Sequence, residues 1–161
     1  MEARSDGGAT CLHLAIDYTK KLLNDWMDKH HDKDCYPPTV IHITDGAYNR
    51  ASKETVLQKS NELKSMFTND GNVLFFNVHI SPNENNNLTF PVHINELQGD
   101  SLGEDLFEFS SLLPLRYNED IARLRNDDKS QRHVAIAVNA DMSTLIQLMD
   151  IGTPTNINHN K

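Results

Sequence analysis

Asp45 closes the run Pro38-Thr39-Val40-Ile41-His42-Ile43-Thr44-Asp45-Gly46. A carboxylate at the carboxyl end of a buried strand, beside a glycine that permits close approach, suits a hard cation. Mg²⁺ and Ca²⁺ prefer oxygen ligands, and Mg²⁺ keeps several of its waters. In open α/β sheets that edge is also where ligands gather. Asp-Gly is equally a common turn pair, so the same residues can simply reverse the chain. Thr10 is the second position of interest, because it follows Gly7-Gly8-Ala9 and opens a helical pattern. Glycine-rich loops before helices can present N–H groups to anions, but Gly-Gly-Ala-Thr lacks the lysine of a phosphate-binding loop. A helix cap, its hydroxyl accepting from a free N–H, is the simpler role for Thr10.

Other chemistries find less support. His30 and His31 lie among Asp28, Asp32, Asp34 and Cys35. Structural zinc asks for Cys-x₂₋₄-Cys or His-x₃₋₅-His spacing, which is missing, so this stretch reads as a solvated connector. His42 and His79 fall inside strand-like runs, where a packed, hydrogen-bonded role is the commoner one. No Gly-x-Ser-x-Gly elbow is present. Cys11 and Cys35 flank the first helical pattern, whose length of about 30 Å separates them, so two thiols are expected rather than a disulfide.

The elements that must position these residues follow from periodicity. Residues 10–28 carry Leu12, Ala15, Ile16, Leu22, Leu23 and Trp26 at helical spacing. Residues 40–44 form a strand. Residues 52–67 form a second helix, with Ser52 as its cap and Phe67 in its apolar set. Asn69-Asp70-Gly71-Asn72 is a turn by composition. Residues 73–80 are nearly all apolar, as in a strand covered on both faces. Residues 88–94 alternate, but Pro91 confines them to a sheet edge. Helices are expected over 104–113, 118–128 and 142–151, with a strand over 133–139 between the last two. Alternating strands and helices imply βαβ units and a mostly parallel sheet. Residues 1–161 read as one domain, with a frayed tail over 155–161.

The order of these features, Gly-Gly-Ala-Thr10, helix, strand, Thr44-Asp45-Gly46, resembles the carboxyl-terminal part of a von Willebrand factor type A domain, over about residues 7–152. The resemblance implies an α/β, three-layer Rossmann-like sandwich. It also implies a metal site built from three loops. Thr10 matches the threonine of the second loop and Asp45 the aspartate of the third, with Gly46 and Ala47 shaping that loop. The first loop carries Asp-x-Ser-x-Ser, and no such motif occurs here. The site so implied is incomplete, and Mg²⁺, or Mn²⁺ or Ca²⁺, would be held weakly by this chain alone. The family's sheet order is 3-2-1-4-5-6, and this chain would supply only the last three strands. The strand carrying Asp45 would then be an open apolar edge, which invites pairing.

Composition narrows the partners. A net charge of −8 and no basic run argue against nucleic acid. No signal peptide and no membrane-length apolar run are evident, so a cytoplasmic location is expected. The resemblance implies metal-assisted binding of a protein partner through that partner's carboxylate. Two alternatives stand beside it. One is a half-domain or remnant completed by a complementing chain or by homodimerisation. The other is a small hydrolase or phosphotransfer enzyme using Asp45, although phosphoryl transfer usually wants several acids and a lysine.

Overall fold

The computed structural model describes residues 10–30, 35–45, 47–81, 87–126, 130–141 and 143–147. In chain order the elements are α1 (Leu12–His30), β1 (Thr39–Thr44), α2 (Lys53–Ser65), β2 (Phe67–Thr68), β3 (Gly71–Asn72), β4 (Leu74–His79), β5 (Leu88–Thr89), α3 (Ser101–Phe109), α4 (Asn118–Arg125) and β6 (Ile136–Val138). Residues 143–147 are also helical. The main sheet runs β1-β4-β6-β5. β1, β4 and β6 are parallel, and β5 joins β6 antiparallel at the far edge. The chain is therefore α/β, with a mixed, mostly parallel sheet flanked by helices.

Burial explains the pattern. Every residue of β4 is buried, because both faces of this inner strand are covered. On one face Phe75 joins Ile16 of α1, Leu63 of α2 and Phe109 of α3 in a single apolar cluster. On the other, Phe76 and Val78 meet Phe90, Tyr117 and Ile121. The Phe76 and Phe90 rings meet edge to face at 6.2 Å. α2 packs against both α1 and α3. Among the described residues no helix is long and apolar enough to cross a membrane.

Several expectations shift. α1 begins at Leu12, and its first turn closes on the Cys11 carbonyl, which accepts from the N–H groups of Leu14 and Ala15. Thr10 therefore precedes the capping position and does not cap the helix. Ser52 does cap α2, its hydroxyl accepting from the Thr55 N–H at 3.3 Å. Phe67 leaves α2 for the small β2–β3 hairpin and is 71% exposed, so it is no part of the core. β5 keeps only two residues, because Phe90 takes a positive φ of 50° and Pro91 cannot donate to a ladder. α3 starts earlier than expected, at Ser101, because Asp100 caps it by accepting from the Gly103 N–H at 3.0 Å. It also ends earlier, at Phe109, and β6 covers only 136–138 of the expected strand. Asp17 on α1 pairs with Lys59 of α2 at 2.5 Å. Of the last expected helix, 143–147 are described; Leu148, Met149, Gly46, residues 7–9, His31 and the tail over 155–161 lie outside the described residues.

Candidate functional site

β1 delivers Thr44 and Asp45 to the carboxyl edge of the sheet, where Asp45 is exposed. The loop that follows is pinned from three sides. The Asn49 N–H donates to the Thr10 carbonyl at 2.9 Å. The Tyr48 hydroxyl donates to Asp105 of α3 at 2.8 Å. The Tyr48 ring meets Phe109 edge to face at 5.6 Å. Lys53, at the start of α2, bridges Asp105 at 2.8 Å and Glu108 at 2.7 Å. Thr10 and the loop after Asp45 thus share one corner of the molecule, tied through backbone, although the two lie far apart in sequence. Both Thr10 and Asp45 face solvent. Among the described residues no three His, Cys, Asp or Glu side chains converge as a metal would need.

Burial of the Tyr48 phenol, followed by its bond to Asp105, pushes its pKa up to about 12. A proton held more tightly in the folded chain than the usual value near 10 gives stability that is full below pH 10. That stability is lost as pH rises towards 12. Tyr48→Phe is expected to remove about 1.5–3 kcal/mol at pH 7, the worth of a hydrogen bond to a charged group. It should also flatten the loss of stability between pH 10 and 12, read by urea titration at several pH values.

A buried polar layer lies beneath this corner. Parallel pairing sets His42 against Asn77 and Thr44 against His79. His42 Nδ1 and Asn77 Oδ1 are 2.8 Å apart. The Asn77 amide donates to Ser110 Oγ at 2.9 Å, and that hydroxyl donates to the Leu106 carbonyl at 2.6 Å. Burial pushes the His42 pKa down, and the bond to Asn77 offsets part of that. One rung nearer the carboxyl edge, the buried His79 places Nε2 3.2 Å from Asp100, the cap of α3. His42 and His79 do sit on neighbouring strands with their side chains on one face, but two residues out of register. Asn77 and Asp100 escaped the sequence reading, whereas Ser110 is the packed helix end that its apolar surroundings suggest. The one signal was an asparagine inside an otherwise apolar strand.

Cys11 and Cys35 are free thiols, each half-buried. His30 stacks on Trp26 at 4.5 Å and bonds the Trp26 carbonyl, so it serves the end of α1.

No family model, curated protein or solved structure matches the chain.

Proposed function

We propose that this domain binds a protein partner at the Thr10–Asp45 corner, with a divalent ion shared between the two molecules. The observation that carries the reading is the Asn49–Thr10 bond, which joins the two oxygen-bearing segments at an exposed sheet edge. Two protein oxygens leave most positions of a six-coordinate Mg²⁺ to water or to a partner's carboxylate. The ion's affinity for the chain alone is then low and rises with the partner. The test is calorimetric titration of Mg²⁺, then Mn²⁺, into the chain and into Asp45→Ala. Millimolar binding that disappears in the variant supports the reading, and no heat in either protein overturns it. Turnover of a phosphate ester that Asp45→Ala abolishes while ion binding persists would favour an enzyme instead.

A second reading has its own support. β1 pairs only with β4, and its outer side meets no strand among the described residues. Ile43 on β1 is 51% exposed. On α1, Leu14, Tyr18 and Leu22 are exposed at four-residue spacing, away from the α2 side where Asp17 and Lys20 pair. An open strand suits strand addition by a partner, and an exposed apolar helical stripe suits further contact with it. A net charge of −8 opposes pairing of like copies, so the occupant is a complementing chain rather than a second copy. Sedimentation of the chain alone as a monomer agrees with this. A concentration-dependent dimer that Tyr18→Asp abolishes would point to self-pairing.

A further inference from the structure

At the other end of the sheet, remote from Thr10 and Asp45, the segment after α3 wedges between two strands. The Ser111 N–H donates to the Phe75 carbonyl at 2.9 Å, and Ser111 Oγ accepts from the Phe75 N–H at 2.8 Å. On its other side Ser111 O accepts from the Ala135 N–H at 2.8 Å, and the Leu113 N–H donates to the His133 carbonyl at 2.8 Å. Direct pairing of β4 with β6 starts only at Asn77 and Ile136. The wedge satisfies the backbone of both strands and opens a cleft of about 510 Å³ at their amino-terminal ends. Leu74, Leu112 and Pro114 give this cleft an apolar wall, and Lys64, Arg116 and Arg132 line it.

The charge balance there reverses that of the chain. The net charge overall is −8, yet three cations and a single carboxylate, Asp70, line the cleft. Asp70 is engaged with Arg116 at 3.3 Å. The Lys64 ammonium donates to the carbonyls of Ser110 at 3.1 Å and Glu108 at 3.3 Å, which are neutral partners. Burial pushes the Lys64 pKa down, as expected of an ammonium drawn from water with no full counter-charge. Arg116 lies against the rings of Tyr36 and Tyr117, at 5.9 and 5.2 Å, which orient its guanidinium. Among the described residues Arg132 makes a long 3.5 Å bond to the Leu113 carbonyl, which leaves further donors of its guanidinium for a ligand.

We propose that this cleft binds a small dianion carrying an apolar group, a phosphate monoester foremost. Two guanidinium groups offer paired donors to oxyanion edges, and Lys64 adds a point charge. The apolar wall takes the organic part. Such a ligand also supplies a counter-charge to the half-buried Lys64 ammonium.

The test is calorimetric titration of phenyl phosphate, inorganic phosphate and succinate into the full chain at about 0.15 M salt, where surface attraction is screened within about 8 Å. Lys64 holds the end of α3, so its removal risks the fold. The variants are therefore Arg132→Gln and the double variant Arg116→Gln/Arg132→Gln, each checked for an unchanged melting profile without ligand. The expected result is saturable one-to-one binding of phenyl phosphate, tighter than inorganic phosphate. Arg132→Gln should weaken it about tenfold, the effect of losing one charge-assisted pair, and the double variant should abolish it. Tighter binding of succinate would keep the dianion site and reassign its ligand to a dicarboxylate. Absence of saturable heat from all three probes, or binding that the double variant leaves intact, overturns the proposal.

Discussion

Replacing Phe109 by alanine is expected to lower the unfolding free energy by about 3–5 kcal/mol, the range for a large aromatic removed from a packed core. Phe109 is fully buried at the end of α3. Its ring shares one apolar cluster with Val56 and Leu63 of α2 and Phe75 of β4. Two elements besides α3 would therefore face the cavity. The same ring supports Tyr48, and the edge-to-face contact adds about 0.5–1.5 kcal/mol beyond area. With whole domains stable by only about 5–15 kcal/mol, this single change removes much of the margin. The effect should also reach the candidate site. With Tyr48 unsupported, the loop after Asp45 loses one of its anchors, and the Asn49 amide should exchange faster than the central amides of β4. Urea titration gives the global loss and hydrogen exchange gives the local one. A loss below about 1.5 kcal/mol would show that neighbouring side chains collapse into the space.

Asn77→Leu is expected to cost about 2–4 kcal/mol, although it adds apolar volume to a buried strand. The asparagine is fully buried and bonds His42 on β1 and Ser110 after α3. Leucine leaves the His42 Nδ1–H without an acceptor, and each buried polar group left unpaired costs about 1–3 kcal/mol. It must also fit a site shaped for an amide.

The variant should change the response to acid. Burial already holds the His42 pKa below its usual 6.5. Below pH 6.5 the unfolded chain then binds a proton that the folded chain refuses, so stability is full above that pH and falls as pH drops. Removing the Asn77 acceptor takes away the contact that favours the charged form, which lowers the folded pKa further. The acid loss should then extend to lower pH in Asn77→Leu and be larger in sum. His42→Phe should remove this limb of the profile. Denaturation midpoints at pH 7.5, 6.0 and 5.0 would measure both effects. An unchanged acid limb in both variants would assign the loss to other groups.

Local order was legible where short-range physics dominates. The run to Thr44 is apolar, bounded by prolines before it and Asp-Gly after it, and it is a strand. The nearly all-apolar stretch to His79 announced a strand covered on both faces, and all six residues of β4 are buried. Ser52 announced its helix because a side-chain cap is a contact across three residues. The mostly parallel sheet followed from the alternation of such elements.

Contacts across the sheet were not legible. Parallel strands are joined by long crossovers, so no tight turn sets their register. A shift of two residues keeps every side chain on its face, and apolar pattern alone does not choose between such registers. The choice makes Asn77, and not His79, the partner of His42. The span from Phe109 to Leu113 is another case. It reads as one apolar helix, but Ser110 and Ser111 leave the helix to bond Asn77 and Phe75. The partners that reward this break lie more than 30 positions away in sequence. At the candidate site the sequence by itself supplied two oxygen-bearing side chains, Thr10 before a helix and Asp45 after a strand, because residue type and element ends are local properties. Only the tertiary structure decided that the segment bearing Thr10 joins the loop after Asp45. That meeting depends on a backbone bond between Asn49 and Thr10 and on the packing of Tyr48 over α3.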